Sequence, residues 1–210
     1  MTAQLGEQRL FQQPVAGWGV VASVFIALSS ALGIGIAWAD WNAYLVNRDL
    51  TGDPATASDI ASAVALAQAG ALILAVTAFI IWLYRARTNA EILSDAPHRR
   101  TVRWVGWSWF TPIVNFWFPF QVVSDIWKAS KPDRRGSRVL GLWWTCWVIS
   151  LLAEIIGDLI IAAQAETRLA ELKGYAIVAV LSQGFLVLAG AFIIIAVRQI
   201  SQWQGSPRPE

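Results

Sequence analysis

The sequence predicts an all-α integral membrane protein: a bundle of four transmembrane helices with a Trp/Pro-rich re-entrant or interfacial helical hairpin on the cytoplasmic side. Three observations predict it. Apolar residues make up 56% of the 210 positions and charged residues only 14%, against roughly 25% charged in soluble domains. Four apolar runs, at residues 17–39, 60–83, 139–163 and 175–197, each reach the roughly 20 residues that cross a hydrocarbon core of about 30 Å. The basic residues are unevenly placed between those runs.

That placement sets the expected orientation. Ten of the sixteen Lys and Arg fall between Tyr84 and Arg138, and Arg9, Arg198 and Arg208 lie in the tails. The loops between the first and second runs and between the third and fourth hold only Arg48, Arg168 and Lys173. Short loops rich in Lys and Arg stay on the cytoplasmic side. Both termini are therefore expected in the cytoplasm, within one membrane domain covering residues 1–210. Ala37-Trp38-Ala39 resembles a signal-peptide cleavage site, but the apolar stretch before it is too long for the usual signal core.

The segment 104–130, WVGWSWFTPIVNFWFPFQVVSDIWKAS, is apolar enough to enter a membrane. Arg99, Arg100 and Arg103 precede it, and Lys128, Lys131, Arg134, Arg135 and Arg138 occupy its far end and beyond. Basic flanks at both ends mean that it returns to the side it came from. Pro112 and Pro119 divide it, because proline disfavours helix in the residue before it. A short helix is expected over 102–111 and a second from Pro119 to Ala129, with Pro119 suited to the first helical position. Asn115 is the natural local partner for the turn's backbone. Phe120, Val123 and Trp127 share one face of the second helix; Gln121, Asp125 and Lys128 fall on another.

The remaining elements follow from their punctuation. Thr51-Gly52-Asp53-Pro54 signals a turn, and Ser58 or Asp59 can cap the second helix. That helix is expected to run past the membrane through Glu91, since no breaker comes before Ala96-Pro97. The stretch QAETRLAELKG extends the third helix and stops at Gly174. Small-residue ladders at Ala27/Ala31/Gly35 and Ala61/Ala65/Ala69 let helix backbones approach one another.

One motif string resembles a known family. Trp82-Leu83-Tyr84-Arg85-Ala86-Arg87-Thr88-Asn89-Ala90-Glu91, the ordered residues of Trp107–Ser130, and Trp143-Trp144 together resemble an actinobacterial family of multi-pass membrane proteins that is a domain of unknown function. The resemblance is close over about 80–160. It implies a bacterial inner-membrane location and brings no activity. It also implies that Arg85, Arg87, Asn89, Pro112, Asn115, Pro119, Gln121, Asp125 and Trp127 act as one unit.

The candidate chemistry divides into two groups. Within the spans, Glu154 and Asp158 lie four apart on one helical face. An ionisable residue in a span is a functional hypothesis by default, and no Lys or Arg sits at that depth. Ser29, Ser30, Gln68, Glu154 and Gln183 fall at one level in four helices, forming an intramembrane polar layer. Such a layer can be a proton, cation or substrate site, or hydrogen-bonded glue between helices.

On the cytoplasmic side, Asp125 is expected to pair with Arg85 or Arg87 and pin the hairpin to the second helix. Arg85, Arg87, Asn89, Asn115 and Gln121, with Trp107, Trp117, Trp144 and Trp147, are the candidates for binding an anionic lipid or isoprenoid. The alternative for the tryptophans is an aromatic belt at the interface. His98, the only histidine, is expected to be exposed.

No metal site is expected from one His and one Cys, and no cofactor is implied. No P-loop, H-E-x-x-H or G-x-S-x-G motif occurs. Nucleic acid is not an expected partner, because the basic residues hug the membrane. Three functions remain open. The first is an accessory or binding protein that docks a lipid, a membrane protein partner or a second copy of itself through the Trp-rich element. The second is an intramembrane enzyme on a lipid or isoprenoid, such as a cyclase or transferase, with Glu154, Asp158 or Asp125 as acid. The third is a small proton-linked transporter or channel. Outward-facing Trp107, Trp117 and Trp144 would favour docking, and a pocket lined by them would favour an enzyme.

Overall fold

A computed structural model of the chain describes residues 12–49, 52–95, 97–131, 136–163 and 168–206. Among them every regular element is helical. In order these are α1 (Ala16–Asp49), α2 (Pro54–Leu93), α3 (Trp104–Phe110), a 3-10 turn (Val114–Phe116), α4 (Phe118–Ser130), α5 (Arg138–Ala163) and α6 (Arg168–Gly205). Four of these, α1, α2, α5 and α6, are long and apolar enough to cross a membrane. Their outer surfaces suit that role: Leu66 is 75% exposed and Ile73 66%. Large apolar side chains displayed in this number need lipid around them. The chain is a multi-pass membrane protein in its architecture. Arg9, Thr51, Arg134, Arg135, Arg208 and the start of the 164–174 extension lie outside the described residues.

The helices run further than the apolar runs alone suggest. α1 continues to Asp49 because no Gly or Pro interrupts it between Gly35 and Gly52. α2 starts at Pro54, four or five residues before the expected caps Ser58 and Asp59. Its cap is Asp53, whose carboxylate accepts from the Ala55 and Thr56 amides at 3.1 and 3.3 Å and from the Thr56 hydroxyl at 2.7 Å. These bonds hold the Asp53 carboxyl below the usual carboxylate range, as capping of orphan helix amides does. Gly52, at φ 82°, supplies the left-handed residue that brings the chain into the cap. Gly174 does not end a helix, since α6 runs through it. One glycine costs only about 1 kcal/mol in a helix, and the good helix formers Leu169, Glu171, Leu172 and Lys173 surround it.

The chain forms two compact units. The first takes its residues from the chain up to Val24, from Ala75–Gly141 and from Phe192 onward; the second takes Phe25–Leu74 and Leu142–Ala191. The core of the first unit is built on Trp82, Leu83, Ala86 and Ala90 of α2. It also buries Val105 of α3, Val122, Val123 and Ile126 of α4, and Val197 and Ile200 of α6. α1 approaches closely here, because a Cβ at Gly19 would stand 2.8 Å from Ser201 Oγ and 3.3 Å from Trp82 Nε1. The absent side chain makes room for a bond from Trp82 Nε1–H to Ser201 Oγ at 3.0 Å.

In the second unit the same device recurs at Gly33. A Cβ there would collide with Gln183 Oε1 and stand 3.0 Å from Gln68 Nε2. Both amides therefore owe their positions to a residue without a side chain.

Candidate functional site

In the first unit, α3, the 3-10 turn and α4 form the predicted two-helix segment, with boundaries within two residues of those expected. The turn satisfies its own backbone. Val114, Asn115, Phe116 and Trp117 amides donate to the carbonyls of Pro112, Thr111, Ile113 and Val114 at 2.7–3.1 Å. Ile113 carries the geometric cost at φ 66°, a region that β-branched residues avoid. Asn115 does not serve this backbone through its carbonyl, since its Oδ1 is buried without a partner.

α4 is not half exposed as its pattern suggested. Residues from Val122 to Trp127 are all buried, as are Ala129 and Ser130. The outward surface belongs instead to α3 and the turn. Trp107 is 65% exposed, Phe110 66% and Ile113 71%, with Phe116 and Trp117 also exposed. Trp104 and Trp109 turn inward, edge-on to Phe118 at 4.7 Å and Phe79 at 5.6 Å.

Asp125 anchors the segment, but through Arg99 and not through Arg85 or Arg87. Its carboxylate accepts from the Arg99 amide at 2.8 Å, from Nε at 2.9 Å and from Nη2 at 2.8 Å. Arg85 is turned away, donating to the Pro14 carbonyl at 3.1 Å with its guanidinium over the Trp18 ring. Arg87 is buried and donates through Nε and Nη2 to Glu91. The chain folds back after Leu93, and that return places Arg99 against α4. Arg100 donates Nε to Gln121 Oε1 at 2.8 Å and stacks on Phe118 at 3.6 Å from the ring centroid.

Asn89 clamps the N-terminal segment. It accepts from the Gln13 amide at 2.8 Å and donates to the Gln13 carbonyl at 2.9 Å. Behind it, Gln204 accepts from Asn89 and donates to the Ala86 carbonyl at 2.9 Å and Ser130 Oγ at 2.8 Å.

In the second unit, the polar layer borders a cavity of about 520 Å³. Gln68 donates to Gln183 at 3.3 Å, and Gln183 donates to Glu154 at 3.5 Å. Ser182 donates to Glu154 at 2.8 Å. Asp158, Tyr175, Asp40 and Ser150 complete the polar lining, and Trp147 and Leu151 continue the Glu154 face. Trp144 stacks on Trp147 at 4.7 Å. Ala61, Ala65 and Ala69 also line the cavity, so the α2 ladder leaves space there. Ser29 is buried, and Ser30 lies against Gly190, 2.6 Å from a Cβ placed there. Neither serine belongs to the lining. Among the described residues no His, Cys, Asp and Glu group has the form of a metal site.

The family model for a domain of unknown function, DUF4328, matches residues 47–202. The chain belongs to this family. Neither a curated protein nor a solved structure matches it. The DUF4328 match covers both helices of the Trp-rich segment, the Arg99–Asp125 pair, Glu154 and Gln183. Asp40 and Gln204 fall just outside it.

Those two residues are among the ones that sequence reasoning missed, with Ser182 and Arg99 as the partner of Asp125. Asp40 reads as a loop acid if α1 ends at Ala39, yet it lies inside the helix and faces the cavity with Oδ2 buried and unpartnered. Gln204 reads as tail if α6 ends at Val197. The signal for it was Ile200, Trp203 and Gln204 recurring at helical spacing after Val197. His98 was also misplaced: both its ring nitrogens are buried and without a hydrogen-bond partner.

Proposed function

We propose that this DUF4328 chain is an accessory membrane protein of the bacterial inner membrane that beds α3 and its following turn in the lipid of the cytoplasmic leaflet. The observation that carries this reading is the outward row Trp107, Phe110, Ile113 and Trp117. Apolar side chains on consecutive turns gain from lipid contact, and indole rings favour the headgroup level. Arg99, Arg100 and Arg103 stand immediately before that row, where basic residues attract anionic lipid at ~1 kcal/mol each. Both termini then lie in the cytoplasm by the distribution of Lys and Arg. An intramembrane enzyme using Asp125 as its acid has less support, because Arg99 occupies that carboxylate.

A nitroxide attached through Trp107→Cys tests the reading, since the native Cys146 is buried. Oxygen is expected to relax the label more strongly than a water-soluble nickel complex does. The reverse order would mean that the row faces water or a protein, and the proposal would fail.

A second reading rests on the cavity. Asp40, Glu154 and Asp158 line it without any Lys or Arg. An acidic lining without basic groups suits a proton in transit or a cationic ligand. Glu154→Gln keeps the hydrogen bonds from Ser182 and removes the charge. It is expected to abolish proton or cation uptake by the reconstituted protein while its melting temperature changes little. Unchanged uptake, or none in the parent protein, would leave hydrogen-bonded glue as the role of the layer.

A further inference from the structure

Beside the Arg99–Asp125 pair lies an open cleft of about 390 Å³ lined by Arg87, Glu91, His98, Arg99, Arg100, Thr101 and Val102. Its lining carries three guanidiniums against one carboxylate. Among the described residues these guanidiniums are only partly used. Arg87 spends Nε and Nη2 on Glu91, Arg99 spends Nε and Nη2 on Asp125 and Gln121, and Arg100 spends Nε on Gln121. Arg has five N–H donors in a fixed fork. Each of the three therefore keeps donors to spare, and Arg100 keeps both terminal nitrogens.

His98 adds the second observation. A neutral imidazole has one donor and one acceptor nitrogen, and an imidazolium has two donors. Both nitrogens of His98 are buried and neither has a partner, an arrangement that costs free energy until something fills it. No described side chain does so.

We propose that this cleft binds a phosphate monoester, with His98 and the free ends of Arg87, Arg99 and Arg100 donating to its oxygens. Phosphate fits better than a carboxylate, because its three terminal oxygens match donors arriving from several directions. The cleft has room for the ester group beyond the phosphate. This goes beyond the lipid-bedding proposal, and it stands whether or not Trp107 meets lipid. The phosphate can come from a lipid headgroup or from a soluble molecule, and both present the same dianion.

His98 also reports on the site. Burial and the neighbouring Arg87 charge hold its pKa below the usual value near 6.5, while Asp125 and Glu91 pull the other way. Arg99 and Arg100 are the other charges lining the cleft. A dianion seated against the ring favours the imidazolium and raises that pKa. The chain has a single histidine, so its imidazole Cε1–H gives one resolved signal in a histidine-labelled sample.

The test is a pH titration of that signal in the full chain, in nanodiscs of phosphatidylcholine, with and without inorganic phosphate. A second arm replaces part of the lipid with phosphatidic acid and omits phosphate. The midpoint is expected to rise in at least one arm. A rise with inorganic phosphate assigns a soluble source, and a rise only with phosphatidic acid assigns a lipid. A midpoint that moves in neither arm overturns the proposal. In whichever arm responds, Arg100→Gln is expected to weaken the effect about tenfold, while Arg198→Gln, exposed on α6 and outside the cleft, leaves it within about twofold. Equal loss in both variants would show general surface attraction and no site. The parent titration decides the first question even if Arg100→Gln fails to fold.

Discussion

Trp82→Ala is expected to destabilise the first unit by ~3–5 kcal/mol, the range for removing a large aromatic side chain from a packed core. Trp82 is fully buried. Its ring meets Phe79 at 5.5 Å, and its N–H holds Ser201. Alanine would leave a void where lipid cannot enter, and a buried hydroxyl without its donor. Relaxation is limited because Gly19 already brings α1 as close as its backbone allows. The measurement is unfolding of the purified protein in detergent by titration with a denaturing surfactant. A loss below about 1 kcal/mol would mean that neighbouring side chains collapse into the site.

Asp125→Ala is expected to have the second-largest effect, because three donors converge on one buried carboxylate. Breaking a buried ion pair costs ~3–5 kcal/mol. Arg99 is about half exposed, and its charge regains water, so about 2 kcal/mol is the better figure. The lost contact ties 98–100 to α4, and Arg99, Arg100 and Arg103 are sites for trypsin. Cleavage there should accelerate by about 30-fold if it follows local opening. Cleavage at the parent rate would show that the tie carries no stability.

Both effects bear on how far the sequence could be read. The four long helices were legible because their length and composition leave few alternatives. Their ends were not. Asp40 reads as a loop residue because hydropathy falls after Ala39, whereas helix persists wherever nothing breaks it. Gly174 reads as a stop, although a 38-residue helix absorbs one glycine. The Trp-rich segment divided at its prolines as expected, since proline constrains the backbone locally.

Side-chain partners were harder. That Asp125 needed a cation followed from chemistry. Which arginine supplied it depended on the path of 94–100, a stretch with no periodicity to read. The same limit hid His98. Its ring nitrogens are buried in the cleft that Arg87, Arg99 and Arg100 also line, and no local pattern encodes that. The polar layer was partly legible from depth alone, which placed Gln68, Glu154 and Gln183 together. Ser182 and Asp40 joined them through helix rotation, which depth does not report.

The way the chain is shared between its units also constrains how it is made. Neither unit is a contiguous stretch, and each draws residues from α6. A nascent chain emerging from the ribosome therefore cannot complete either one until its last helix is synthesised. Until then Asn89 lacks Gln204, and Glu154 lacks Ser182 and Gln183, so buried polar groups wait without partners in or beside lipid. Completion of both units thus waits on α6, and the interval before it is when an insertase or chaperone has most to protect.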